Sequence, residues 1–143
     1  MKATNQNLIN QAAQSVDKSL ISIDENSGIP IWVQLRNRLI FLISSERFKA
    51  GCKLPTVREL AIDLGINYNT VSKVYQDIER DGYIFSCRGR GTFVAEAATG
   101  ASDDMHAAVN VLIDDLMQSC KELGLSQEEV ASLVAERVGG VFV

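Results

Sequence analysis

The chain has 143 residues, 46% hydrophobic and 22% charged, the balance of a soluble globular protein with room for one ordinary domain or a small domain and an appendage. No apolar run approaches the roughly 18 residues a membrane span requires, and the polar start MKATNQNLINQAAQSVDK has no signal-peptide core, so a cytoplasmic protein with no membrane partner is expected. The net charge of −4 conceals a division: 10 basic and 7 acidic groups give +3 over residues 28–96, whereas 2 basic and 8 acidic groups give −6 over 97–143, as expected of two parts with different partners.

Residues 1–19 carry no firm hydrophobic period and are expected to form a flexible N-terminal extension. Leu20-Ile21-Ser22-Ile23 suits a short strand, which Asp24-Glu25-Asn26-Ser27-Gly28 then breaks. Pro30 stands where a first helical turn begins, its fixed φ costing nothing there. Trp32, Leu35, Leu39, Leu42 and Ile43 follow at helical spacing as the expected apolar face, and Gly51 closes the region.

In LPTVRELAIDLG, residues 54–65, Thr56 is an N-cap and Glu59, three positions on, completes a capping box. Val57, Leu60, Ala61 and Leu64 supply the apolar face, and Gly65 ends the helix. Asn67 caps a further helix over 67–80, in which Val71, Val74, Tyr75 and Ile78 fall at i, i+3, i+4 and i+7 before Asp81-Gly82 stops it. Two short helices separated only by Gly65-Ile66 read as a helix-turn-helix. Tyr83-Ile84-Phe85-Ser86 and Thr92-Phe93-Val94 then alternate as strands around CRGRG, so residues 20–95 are expected to form a winged helix-turn-helix.

Small residues over 96–102 make an expected hinge, and 103–143 an expected helical tail. Its first helix begins at Asp103 with Met105, Val109, Leu112, Leu116, Cys120 and Leu123 on one face. Gly124 ends it, and Ser126 with Glu129 opens a second, striped by Val130, Leu133, Val134 and Val138. The fold class is therefore mainly α with a small β-hairpin: an N-terminal winged helix-turn-helix plus a C-terminal two-helix hairpin.

Chemistry is confined by what is absent. Cys52, Cys87 and Cys120 are an odd number with no Cys-x-x-Cys pair, which argues against a disulfide framework and a zinc site. With His106 the lone histidine, there is no material for a His-based metal cluster or a nucleophile–His pair, so no catalytic residue, metal or cofactor is expected. The informative surface is the face of helix 67–80 opposite its apolar stripe: Tyr68, Asn69, Ser72, Lys73 and Gln76. The first turns of a recognition helix reach base edges. There Asn69 suits a paired contact to adenine, Lys73 guanine or phosphate, and Thr70 phosphate, with first-turn N–H groups expected to meet phosphate as well. Arg58 lies off the apolar stripe of the preceding helix. Arg88 and Arg90 sit at the wing tip, from which guanidinium groups can follow the backbone or enter the minor groove, where the potential is most negative. Gly89 and Gly91 shape that turn and allow close approach. Taken singly, each feature also reads as a solvated helix face, a surface arginine or an ordinary basic hairpin.

LPTVRELAIDLGINYNTVSKVYQDIERDGYIFSCRGRGTFV resembles the DNA-binding domain of GntR-family bacterial transcription regulators, with the match running from about Ile29 to Val94. Leu-Pro-Thr-x-Arg-Glu-Leu-Ala, Asn-Thr-Val, Asp-Gly-Tyr and Arg-Gly-x-Gly-Thr-Phe-Val occur in order at family spacing. The resemblance implies operator contacts from Arg58, from Tyr68, Asn69, Thr70 and Ser72, and from Arg88 and Gly89. Thr56, Lys73 and Arg90 complete the expected DNA-contacting set. Position 56 is Thr where Ser is more usual, a mild change for a cap. Tyr68 and Ser72 stand where some members have arginine, so an operator sequence does not transfer.

Only 49 residues follow Val94, and a short helix pair there resembles the YtrA subfamily, whose tail mainly pairs two subunits. Two amphipathic helices of this length cannot bury both stripes within one hairpin. A partner's copies would cover Val109, Leu112, Leu116, Leu123, Leu133 and Val134, unless the tail docks on its own winged domain. The expected protein is a homodimeric repressor occupying a two-fold-symmetric operator in double-stranded DNA. The tail is too small for a dedicated ligand pocket, which leaves a small-molecule effector an open partner with only a cleft between tail and winged domain to hold it. Two other classes stand beside this reading: a MocR-type fusion to a pyridoxal-phosphate domain, for which the chain lacks space, and a winged module used for protein contact without operator specificity.

Overall fold

A computed structural model describes residues 14–96 and 99–139, with side chains from Ala107 onward in the second stretch. Helices α1 (Ile31–Ser44), α2 (Val57–Leu64) and α3 (Tyr68–Arg80) precede strands β1 (Ile84–Cys87) and β2 (Gly91–Val94); helices α4 (Thr99–Glu122) and α5 (Gln127–Gly139) follow. The strands pair antiparallel, from Ile84 opposite Val94 to Cys87 opposite Gly91. The chain divides into two compact units at Met105–His106. Three helices and a hairpin form a winged helix-turn-helix, and two helices form the tail.

Local chemistry sets the helix ends. At the start of α2 the Glu59 N–H donates to Thr56 Oγ1 at 3.1 Å. At its end Gly65 is left-handed with φ +66°, and the N–H groups of Gly65 and Ile66 return to Ile62 and Ala61. Asn67 Oδ1 accepts from the Asn69 N–H at 2.7 Å and starts α3 after a two-residue turn. In the tail the box is reciprocal: the Glu129 N–H donates to Ser126 Oγ at 3.2 Å, and the Ser126 N–H to Glu129 Oε1 at 3.3 Å.

The winged core is built on α1 and α3. Leu35, Leu39 and Leu42 are wholly buried, as are Val71 and Ile78, with Val74 and Tyr75 nearly so. Leu60 and Ala61 of α2, Phe48, Leu54 and the wing residues Tyr83, Ile84 and Val94 close around them. The Tyr75 hydroxyl crosses this core to donate to the Pro55 carbonyl at 2.7 Å, tying α3 to the head of α2.

The fold departs from the sequence reading at several points. Leu20–Ile23 forms no strand: Lys18–Leu20 is a single 3₁₀ turn. The Leu20 carbonyl accepts from Arg38 Nε at 2.8 Å, and Gln34 brackets Asp24 by accepting from its N–H and donating to its carbonyl, so side chains of α1 take the bonds a ladder would have used. Trp32 is not buried with its stripe but 51% exposed, because it stands a turn beyond the core, where α1 meets the polar flank of α3. The wing is broader than two strands. The Gly51 N–H donates to the Val94 carbonyl, the Val94 N–H to Cys52 and the Leu54 N–H to Thr92, and Lys53 exchanges backbone bonds with Gln14 and Val16. Lastly, a helix expected from Asp103 begins at Thr99, inside the stretch read as a hinge; residues 97–98 lie outside the described ones. Of the extension expected over 1–19, residues 1–13 also lie outside the described residues, and Lys18 ion-pairs with Asp63 at 2.8 Å, which raises the ammonium above its ordinary pKa.

Burial, with a smaller contribution from the nearby Glu59 carboxylate, holds the Tyr75 phenol above its usual range. The neutral phenol is favoured in the folded state, so its stabilisation is complete below the ordinary phenol pKa of about 10 and is lost as pH rises beyond it. Replacing Tyr75 by Phe orphans the Pro55 carbonyl and is expected to cost about 1–3 kcal/mol at neutral pH. The variant should also lose less stability than the parent on going alkaline; urea unfolding at neutral and alkaline pH checks both.

Candidate nucleic-acid interface

Rotation of α3 about its axis is set by the stripe it buries, which leaves Tyr68, Asn69, Lys73 and Gln76 exposed and Thr70 and Ser72 half-buried. The Ser72 hydroxyl accepts from Gln76 Nε2 at 3.4 Å, one turn along the same face. The expectation that first-turn amides stand free for phosphate is corrected for two of them. The Asn69 N–H is taken by the Asn67 cap, and the Thr70 N–H donates to the Asn67 carbonyl at 3.1 Å. Side chains therefore carry this end of the helix.

Thr56 and Arg58 stand exposed at the head of α2. The Thr56 oxygen caps the helix, which leaves its hydroxyl proton available to an acceptor. At the other end of α3, Glu79 accepts from both the Ser86 N–H at 3.1 Å and the Ser86 hydroxyl at 3.0 Å, clamping β1 to the helix. The wing's orientation is thus referred to α3 itself. At its tip the Arg90 N–H donates to the Cys87 carbonyl at 2.9 Å, and Gly89 takes φ +80° at the third position of the turn, a region only glycine enters freely. Arg88, Gly89 and Arg90 are all exposed.

Charge sorts these residues. Asp63, Asp77 and Asp81 are each held by a cation, respectively Lys18, Arg80 and Arg36, at 2.8–2.9 Å. Arg58, Lys73, Arg88 and Arg90 form no ion pair among the described residues. Arg80, at the far end of α3, is the helix-pair cation that is paired; among the described residues Arg58, Lys73 and the two wing-tip arginines are not. No group of three or more His, Cys, Asp or Glu side chains among the described residues is placed to hold a metal ion, and Cys52, Cys87 and Cys120 are free thiols. The His106 side chain lies outside the described residues.

Sequence reading missed Lys53. Its backbone joins the wing sheet, and its side chain runs across Gly91 so closely that a Cβ there would lie 2.8 Å from Lys53 Cε. Gly91 is doubly constrained, since its φ of +121° is also a region other residues rarely adopt. Lys53 is exposed and has no ion pair among the described residues, which places one more free cation beside the wing tip. Pairing through β2 brings it there, and nothing in the run GCKLP marks it.

Comparison with known proteins bears on the same surface. Residues 33–94 match the family described as "Bacterial regulatory proteins, gntR family". The HTH-type transcriptional repressor YtrA of Bacillus subtilis is 36% identical over 126 residues, covering 85% of this chain and 97% of that protein. The HTH-type transcriptional regulator YhcF of the same organism is 34% identical over 104 residues, covering 73% of this chain and 86% of that one. Among solved structures, the GntR-family transcription factor YtrA of Sulfolobus acidocaldarius superposes with a TM-score of 0.51 at 32% identity, covering 66% of this chain and 98% of that one.

Neutralising Lys53 tests its place at the wing. Replacement by Gln is expected to lower DNA affinity and to reduce the slope of log affinity against log salt by about 1, as for one lost phosphate contact. Gly91→Ala, which displaces the Lys53 stem, should show the same loss of slope in the same titration.

Proposed function

The chain belongs to the GntR family of bacterial regulatory proteins, and from that premise we propose that this DNA-binding regulator is a homodimeric repressor that reads a two-fold-symmetric operator with α3 and the wing. One observation carries the reading: Arg58, Lys73, Arg88 and Arg90 stand without acidic partners among the described residues, beside an α3 face whose polar side chains Tyr68, Asn69 and Gln76 are exposed. In this arrangement Asn69 and Tyr68 meet base edges in the major groove, with Asn69 suited to adenine. Arg58, Lys73, Thr56, Thr70 and Ser72 engage phosphates or neighbouring base edges, and Arg88, Gly89 and Arg90 carry the wing along the backbone or into the minor groove. Repression follows from occupying promoter DNA in the cytoplasm.

The tail supplies the second copy. Val109, Leu112, Leu116, Leu123, Leu133 and Val134 are each 40% or more exposed. Leu116, Val130, Leu133 and Val134 border an open cleft of about 750 Å³. Apolar surface of this extent on a short helix pair is the mark of a face that meets another protein, and a second tail offers the complementary stripe. Two chains paired through their tails present two recognition helices, which is the geometry a symmetric operator requires.

Arg58→Ala and Arg88→Ala are each expected to weaken binding to a selected duplex by about tenfold or more while leaving the oligomeric state unchanged. Gel-shift titration beside sedimentation measures the two properties separately; unaltered affinity refutes the assignment. Conversely, Leu116→Glu with Leu133→Glu should convert the dimer to monomer by sedimentation and weaken binding to a symmetric duplex far more than to a half-site. Equal affinity of the parent for selected and mixed-sequence duplexes would favour a winged module used for protein contact.

A further inference from the structure

A cleft of about 430 Å³ runs along one flank of α3, between Trp32 of α1 and the side chains of Asn69, Thr70, Lys73 and Asp77. Trp32 is the chain's only tryptophan. Half of it is exposed, although Leu35, Leu39, Leu42 and Ile43 of the same stripe are buried. Its indole Nε1–H, a donor with no acceptor role, has no partner among the described residues. A large aromatic face and an unused donor thus stand together at the edge of the surface assigned to DNA.

The position on the helix says which part of a duplex would meet it. At about 100° per residue, Asn69 and Gln76 mark the middle of the outward face of α3, with Thr70 and Asp77 to one side and Glu79 to the other. Glu79 carries the wing through its two bonds to Ser86. Thr70 and Asp77 border Trp32. Wing and indole therefore flank the outward face from opposite sides.

We propose that Trp32 is a backbone clamp: with α3 in the groove, its ring covers the deoxyribose, and its Nε1–H binds a phosphate oxygen, on the strand opposite the one the wing holds. The proposal rests on the DNA-reading assignment above and adds to it a contact from outside the helix pair. Lys73, exposed and without an ion pair among the described residues, supplies attraction at the cleft, and the bordering Asp77 is neutralised by Arg80 at 2.9 Å. Because the indole belongs to α1 and faces sugar and phosphate, it contributes affinity and orientation rather than sequence choice.

The single indole gives a direct test. The protein is titrated with a short duplex it has itself selected from a random-sequence pool, and with sheared mixed-sequence DNA, while gel shift measures occupancy independently. At saturation Trp32 emission should change and its quenching by acrylamide should fall several-fold with both DNAs. Trp32→Ala should weaken both by a similar factor, about five- to thirtyfold, with Trp32→Phe recovering part and thermal melts confirming that the variants fold. Unchanged emission and quenching on DNA that gel shift shows to be bound overturn the clamp and leave the DNA-reading assignment standing, whatever the variants do. A loss confined to the selected duplex also overturns it, since Trp32 would then read bases. If the parent binds neither DNA, both proposals fall.

Discussion

Val71, Val74, Tyr75 and Ile78 pass together into the core that α1 supplies, and the rest of the winged unit is arranged about that insertion. Burial of this kind contributes on the order of 1.5–3 kcal/mol for each aliphatic side chain. Turning α3 by one residue would exchange them for Ser72, Gln76 and Glu79, whose polar groups have no partners in such a core. The outward face is thus determined by exclusion: Asn69, Lys73 and Gln76 point to solvent because their neighbours cannot. Two hydrogen-bonded ties, Tyr75 to Pro55 and Glu79 to Ser86, then refer the head of α2 and the wing to the same helix.

Electrostatics follows from the same placement. In the winged unit the acids Asp63, Asp77 and Asp81 are tied to Lys18, Arg80 and Arg36, all at exposed or half-exposed sites where each pair stabilises the fold little. Their larger consequence lies in the field they cancel. With those carboxylates neutralised locally, Lys53, Arg58, Lys73, Arg88 and Arg90 are left to project positive charge, within a chain whose total is −4. Negative charge is concentrated in the tail sequence, at −6 over residues 97–143 against +3 over 28–96.

The tail obeys a different constraint. Among its described residues Val130 is the large apolar side chain that is buried, whereas Val111, Leu112 and Ile113 of α4 are exposed in succession. Three consecutive residues span about 200° of a helix, so one partner stripe leaves part of that surface uncovered. Helix caps hold α5 at the end of a tight Leu123–Ser126 connection, with Gly124 at φ +92°, but capping supplies no core. Stability of such a pair has to come from packing outside it.

Periodicity and caps were strong enough in this chain to settle the local elements. The spacing of Val71, Val74, Tyr75 and Ile78, the Thr56 and Ser126 caps, and the glycines at 65 and 82 each act within one or two turns of backbone. The helix pair, the identity of its outward face and the wing hairpin were therefore legible in the sequence. What acts between distant segments was not. Arg38 and Gln34 took the backbone bonds of the 20–24 segment, β2 recruited residues 51–54 and set the Lys53 stem across Gly91, and α1 carried Trp32 past the core to the flank of α3. Local sequence determines which faces must be hidden, because helical spacing and capping are short-range; only the tertiary fold decides which side chains lie at the margins of those faces, because that depends on where segments far apart in the chain come to rest.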